Sequence, residues 1–197
     1  MTRLRIDSIP EAAGHAAELN SAIAIQWADA YAQFPSQMGR LLVTRASYGG
    51  PFIELFQRIM WDPGPLTRQE REMIAMVASR ASRCKYRTEI HGEFLRFENT
   101  DPALVKQIKT DFRSAPIEPR HRALLEYAEK LTLTPYRMVD DDVDLLRRSG
   151  WSEDAIVAAT HVVGIFSYLV RLADAFGIEW EPEVEASATH QPELWKD

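Results

Sequence analysis

Residues 66–97 read LTRQEREMIAMVASRASRCKYRTEIHGEFLRF, and most of the chain's reactive side chains fall in this stretch. Thr67 followed by Glu70 forms a capping box, which predicts a helix starting at Arg68. The run from Met73 to Ala78 is apolar on every side, the mark of a helix buried within a domain. Glu72 stands at the mouth of that run. Cys84, the only cysteine, opens a second helix, with Arg87 and His91 behind it. Offsets of three and seven place Cys84, Arg87 and His91 on one helical face. The spacing therefore predicts a pocket where a carboxylate, a thiol, a guanidinium and an imidazole converge.

This pattern resembles the carboxymuconolactone decarboxylase and alkyl hydroperoxidase D-like (AhpD-like) superfamily, most of all its peroxidase-related branch. That branch carries a glutamate and then Cys-x-x-Cys-x-x-x-His, preceded by a Ser-Arg-x-Asn-type turn. Here Glu72 lies twelve residues before Cys84, Ser79-Arg80 leads into the turn, and His91 closes the motif. Arg122 to Thr132 and Arg171 to Gly177 look like the branch's later helices, so the likeness covers most of residues 20–180. It implies an all-α AhpD-like domain of about eight helices that self-associates as a homo-oligomer. There are two departures. Arg87 stands where the family has its second, peroxide-attacking cysteine, and Ser82 where it often has Asn. With one thiol the family's internal disulfide cannot form.

Bulk composition narrows the classes. The 197 residues, 46% hydrophobic and 26% charged, suit one domain (1–197) with a real core. A net charge of -6 with no Lys/Arg cluster argues against nucleic acid as a partner. No apolar stretch of membrane-spanning length stands out, and the N-terminus lacks the apolar core of a secretory signal. A lone cysteine fits a reducing cytoplasm. The expected partner is thus a small molecule in the cytosol, with no membrane, no cofactor and no metal.

In chain order, residues 1–10 read as a lead-in, and Glu11 to Gln33 as a helix with Ile23, Trp27, Ala30 and Tyr31 on a buried stripe. Phe34-Pro35-Ser36 interrupts it. Ser36 caps a helix with Met38, Leu41 and Leu42. Gly49-Gly50 reads as a break, with Pro51 opening a helix that carries Phe52, Leu55, Phe56 and Ile59. Asp62 to Pro65 stops the chain before the capping box. Beyond the central pair, Asp101-Pro102 starts a short helix, and an amphipathic helix runs from Glu118 and ends before Pro135. Asp140 to Arg148 is acidic at its start and basic at its end, as the helix dipole prefers, with Gly150 after it. The last long helix spans Glu153 to Phe176. Its apolar middle is expected to be buried, in part at a subunit interface, and Gly177 ends it. The acidic tail 179–197 reads as loose or peripheral.

Each candidate site residue has a reactive reading and a plain one. Cys84 at a helix start is expected to have a lowered thiol pKa, helped by Arg87 and His91; the plain reading is an inert buried cysteine. Glu72 against an apolar helix is expected to have a raised pKa and to act as a proton relay; otherwise it pairs with Arg68. His91 is an acid/base partner or a satisfied helix histidine. Arg87 forks onto a substrate oxygen, or forms a salt bridge to Glu72 or Glu89. Tyr86 and Trp61 wall the pocket or are core. Of the remaining histidines, His161 reads as a hydrogen-bonded core residue, and a metal site built on Cys84 and His91 lacks a tight ligand pair.

Three functions follow. The first is hydroperoxide reduction by Cys84 alone, with Glu72 and His91 relaying protons. The second is decarboxylase-like acid–base chemistry on a small carboxylate held by Arg87 and Tyr86. The third is a non-catalytic binding descendant. The likeness to the peroxidase-related branch favours the first.

Overall fold

The structure, a computed structural model, describes Arg3 and residues 37–42 and 44–195. The expected helix over 11–33, the break at 34–36 and the rest of the lead-in lie outside the described residues. Within them every regular element is helical: α1 Gln37–Leu42, α2 Ala46–Trp61, α3 Arg68–Ala81, α4 Lys85–Phe97, α5 Pro102–Asp111, α6 Pro119–Leu133, α7 Asp140–Arg148, α8 Glu153–Phe176 and α9 Pro182–Glu185, with 3-10 turns at Pro135–Arg137 and Pro192–Trp195.

α3 is the centre of the fold and packs against α4, α6 and α8. Every residue from Glu70 to Ser79 is buried, as the all-round apolar run requires. The capping box forms: Thr67 Oγ1 accepts from the Glu70 N–H at 3.2 Å, and Glu70 Oε2 accepts from the Thr67 N–H at 2.8 Å. At its other end α3 stops in a Schellman turn, where the Cys84 N–H reaches Ser79 O and the Arg83 N–H reaches Arg80 O. Arg83 holds the left-handed position (φ 57) that glycine usually fills. This reversal drops Cys84 onto the N-cap of α4 and lays α4 back along α3.

α2 starts earlier than its sequence suggests. It runs from Ala46 through Gly49-Gly50, with Pro51 inside it. Only one ladder bond is lost, at the Ser47 carbonyl; Ser47 is exposed, so water can satisfy it. Of the apolar residues read on this helix, Phe56 is buried and Leu55 is half exposed. The later boundaries follow the sequence closely. Asp101 caps α5, and Ser152 caps α8 by accepting from Ala155. Gly150 (φ 90) and Gly177 (φ 59) end α7 and α8 in the left-handed region.

By length and composition α8 is apolar enough to cross a membrane, although no such stretch stood out in the sequence. It is nonetheless packed into the core, with Ile156, Val162, Val163, Phe166 and Leu169 among its buried residues. Its opposite face is open. Val157, His161, Gly164 and Tyr168 are exposed at helical spacing, so His161 is not the core residue its sequence context suggested.

The residues after Gly177, read as loose, fold back over α4 as far as the described chain extends. Glu89 is fully buried on α4. It takes Lys109 Nζ at 2.9 Å, Trp195 Nε1 at 3.0 Å and the Gln191 N–H at 3.3 Å. Lys109 Nζ also donates to the Thr189 carbonyl, and the hydroxyls of Ser187 and Thr189 donate to Glu93. Gly92 lies beneath this strap because a Cβ there would sit 3.3 Å from Lys109 Cε. The strap adds hydrogen bonds to buried charges that α4 and α5 already pair between themselves. Lys109→Met, which strands Glu89, is expected to lower stability by about 3–5 kcal/mol. The double variant Glu89→Gln/Lys109→Met should recover most of that loss; urea denaturation of the full chain checks both.

Candidate active site

α3 and α4 bring Glu72 and His91 together in the interior. Glu72 is fully buried and His91 is 1% exposed, with Nδ1 at 2.5 Å from Glu72 Oε2. Arg68, one turn before Glu72, forms an ion pair with it and lies over the Trp61 ring at 4.0 Å. Trp61 thus backs the ion pair and does not wall a substrate pocket.

Charge settles which of these atoms holds the proton. Burial alone would raise the Glu72 pKa, but Arg68 and then His91 outweigh it and hold the carboxyl below its ordinary range. This corrects the expected rise. Burial pushes His91 well below the ordinary imidazole value, more than Glu72 can restore. The pair is therefore a carboxylate and a neutral imidazole. The single imidazole proton sits on Nδ1, facing Glu72, which leaves a lone pair on Nε2. Nε2 is buried and has no hydrogen-bond partner among the described residues.

Arg87 lies one turn before His91 on the same face of α4. It is 4% exposed, and its Nε likewise has no partner among the described residues. Its guanidinium sits 5.1 Å above the Phe166 ring, against which His91 packs edge-on at 4.5 Å. Neither expected salt bridge forms: Glu72 is taken by Arg68 and His91, and Glu89 by Lys109. Burial lowers the Arg87 pKa, and Glu72 and Glu181 act on it only through their fields. Arg87 lines a cavity of about 20 Å³ between α1 and α2. Two larger surface grooves, of about 380 and 510 Å³, border α5 and include none of Glu72, Arg87 or His91.

Cys84 adjoins Arg87 but is held as a neutral thiol. Its side chain has no exposure, and burial pushes the thiol up to about 12. The Arg87 N–H at the helix start pulls the other way, but Asp174 of α8, hydrogen-bonded to the thiol, adds to the rise. The dipole argument is thus outweighed by desolvation and a neighbouring carboxyl. Asp174 has its own pKa raised, first by burial. Tyr86 is buried with its hydroxyl donating to Glu181 at 3.1 Å, so it does not line the Arg87 cavity. Among the described residues no three metal-ligating side chains converge. Two of the site's neighbours escaped the sequence reading. Phe166 is one apolar residue in an apolar run. Asp174 carried a faint signal, an acid at the C-terminal end of a helix where the dipole disfavours it.

Comparison with known proteins agrees with this geometry. The model of the carboxymuconolactone decarboxylase family matches residues 48–101, which include Glu72, Cys84, Arg87 and His91. The AhpD-core structure of an uncharacterised peroxidase-related protein from Ralstonia eutropha JMP134 superposes with a TM-score of 0.83 at 25% identity, covering 96% of this chain and 97% of that one. A peroxidase-related protein from Silicibacter sp. TM1040 gives 0.82 at 24% identity, over 95% of each chain. The debrominase Bmp8 in complex with 2,3,4-tribromopyrrole shares the fold, with a TM-score of 0.75 at 18% identity over 94% of this chain and 93% of that one. A search of curated proteins returns no match. The Glu72–Cys84–His91 spacing, the family match at the centre of the chain and an architecture shared along nearly its whole length make the protein similar, in motif and in fold, to the carboxymuconolactone decarboxylase/AhpD-like superfamily.

Proposed function

We propose that this protein is an acid–base enzyme that moves a proton on a small carboxylate held by Arg87. One observation carries the reading: the Nδ1–H of His91 is committed to the ionised Glu72, while its buried Nε2 lone pair has no partner among the described residues, one turn along α4 from Arg87. An imidazole held in this tautomer by a carboxylate is built to accept a proton at Nε2. The Glu72 carboxylate then stabilises the imidazolium. In the step we propose, a C–H bond conjugated with the substrate's carboxylate breaks and Nε2–H forms. The electron pair spreads toward the carboxylate oxygens, where the Arg87 fork meets the growing charge. Return of the proton to another carbon gives an isomer and restores the neutral histidine.

Hydroperoxide reduction at Cys84, favoured by the sequence motif, fits the geometry less well. The thiolate is the species that attacks peroxide, and this thiol is buried and held protonated. Arg87, at the second motif position, has no thiol to offer. A non-catalytic descendant would not require an ionised Glu72 to fix the histidine tautomer. The open face of α8, with Val157, His161, Gly164 and Tyr168, supports the self-association that the family likeness implies.

Exchange of substrate C–H for deuterium, followed by proton NMR with unsaturated acids and lactone acids, tests the reading. His91→Gln is expected to slow exchange by about 10²–10⁴-fold, the usual contribution of a general base. Cys84→Ser should leave it unchanged, and full loss of exchange in Cys84→Ser would restore the thiol reading. For the thiol itself, the rise from 9.0 to about 12 leaves on the order of a thousandfold less thiolate at neutral pH. Iodoacetamide should accordingly label the folded protein far more slowly than the urea-unfolded chain.

The pH dependence has a definite sign. His91 acts as a base when neutral, and its pKa is lowered, so the acid limb of the rate profile is expected below about pH 6.5. Folded-state pKa values are depressed at both Glu72 and His91. As pH falls, the unfolded chain therefore takes up protons first, below about 6.5 at His91 and then below about 4.5 at Glu72. Stability present at neutral pH is lost on acidification, and His91→Gln should remove the first part of that loss in melts recorded from pH 7.5 to 4.

A further inference from the structure

The walls around Arg87 narrow the class of acid. The cavity it lines is bounded by Met38 and Leu42 of α1, Phe52, Ile53 and Phe56 of α2, and Leu169 of α8. Among the described residues its side-chain lining apart from Arg87 is apolar, so a ligand there meets one cation and no further polar side chain of those residues. A buried guanidinium with no ion pair among the described residues is an unfavourable group to keep in a core, unless an anion completes it. Aliphatic and aromatic walls have nothing to offer a second carboxylate or a hydroxyl. At about 20 Å³ the space holds roughly one water, so an organic ligand must displace part of the wall.

The movable part is α1. It is six residues long and separated from α2 by a short turn at Thr44, whose hydroxyl donates to the Leu41 carbonyl. Across the core, the Met38 N–H donates to the Tyr86 hydroxyl. Met38 and Leu41 are buried, so α1 covers the cavity largely with apolar side chains.

Resting on the assignment of Arg87 as the anion holder, we propose that the ligand is a monocarboxylate with an apolar body. Its carboxylate forks onto Arg87, and its alkyl or aryl part displaces Met38 and Leu42 to fill the space between α1 and α2. Leu42 sets the length accepted, and dicarboxylates are rejected because their second charge would have to be buried unpaired.

The test is isothermal titration of the full chain at pH 7 with the straight-chain acids from acetate to octanoate, with benzoate, and with succinate and adipate as dicarboxylates. Affinity is expected to rise roughly fourfold per added methylene until the cavity is full. Each dicarboxylate should bind at least tenfold more weakly than the monoacid of equal length. Arg87→Met should abolish binding without lowering the melting temperature, because it replaces a buried charge that has no ion pair among the described residues with an apolar side chain. Leu42→Ala should move the tightest ligand toward longer acids. If either variant fails to fold by circular dichroism, Arg87→Gln and Leu42→Val replace them. Affinity that does not change with chain length, a dicarboxylate bound as tightly as its monoacid, or binding that survives loss of Arg87 overturns the proposal. The same ligand panel separates it from the catalytic reading. Chain-length-dependent binding with no deuterium exchange in any unsaturated acid supports the apolar site and removes the acid–base reading. Exchange that depends on His91 but ignores chain length supports the acid–base reading and removes this one.

Discussion

A fully buried carboxylate needs compensation, and the arrangement around Glu72 supplies it. Glu72 lies on α3, whose residues from 70 to 79 have almost no exposure, so its charge persists only with Arg68 and His91 in place. Those partners come from different directions. Arg68 is one turn earlier on α3 and is backed by Trp61 of α2, whereas His91 is on α4. Holding Glu72 ionised therefore ties α2, α3 and α4 into one geometry. The same charge fixes the tautomer of His91 and leaves the lone pair on Nε2. Fold and candidate chemistry rest on one carboxylate.

A second buried ion pair plays a different part. Glu89 and Lys109 also lie at zero exposure, but they pair with each other, and the returning chain adds further partners through Thr189, Gln191 and Trp195. Pairing of this kind ties the tail to the outer side of α4. Arg87 and His91 differ from this pair in that each is buried with a nitrogen that has no partner among the described residues. Arg87 and Glu89 are only two residues apart. They project from opposite sides of α4, one toward α8 and the other toward the tail.

The cysteine shows how a local rule can be outvoted. Cys84 does sit at a helix start, and the Arg87 N–H does stabilise its thiolate. Yet the sulfur is enclosed and faces Asp174, so desolvation and a neighbouring acid drive its pKa in the opposite direction. Cys84 is the chain's one cysteine, so no second thiol stands behind it, and the proposed acid–base reading rests on Glu72, His91 and Arg87.

Much of the fold was legible in the sequence, because its signals act over one or two turns. The capping box at Thr67, Asp101 before Pro102, Ser152 before α8 and the glycines at 150 and 177 are local devices, and each fixes a helix boundary. The face shared by Arg87 and His91, and the spacing of Glu72 before them, also follow from helix geometry and the motif. Pro51 misled the reading, because a single missing donor near an exposed helix start is cheaply satisfied by water. Tertiary packing alone decided the direction of each pKa shift, since these depend on enclosure and on partners distant in sequence. Glu72 is 19 residues from His91, and Asp174 lies on a different helix from Cys84. Packing alone also decided that Glu89 would be sealed by the tail while Arg87 was left facing an apolar cavity. Sequence thus determined which groups the chain owns and which share a helical face. The three-dimensional structure determined which of them are charged, which are satisfied, and which remain free to act.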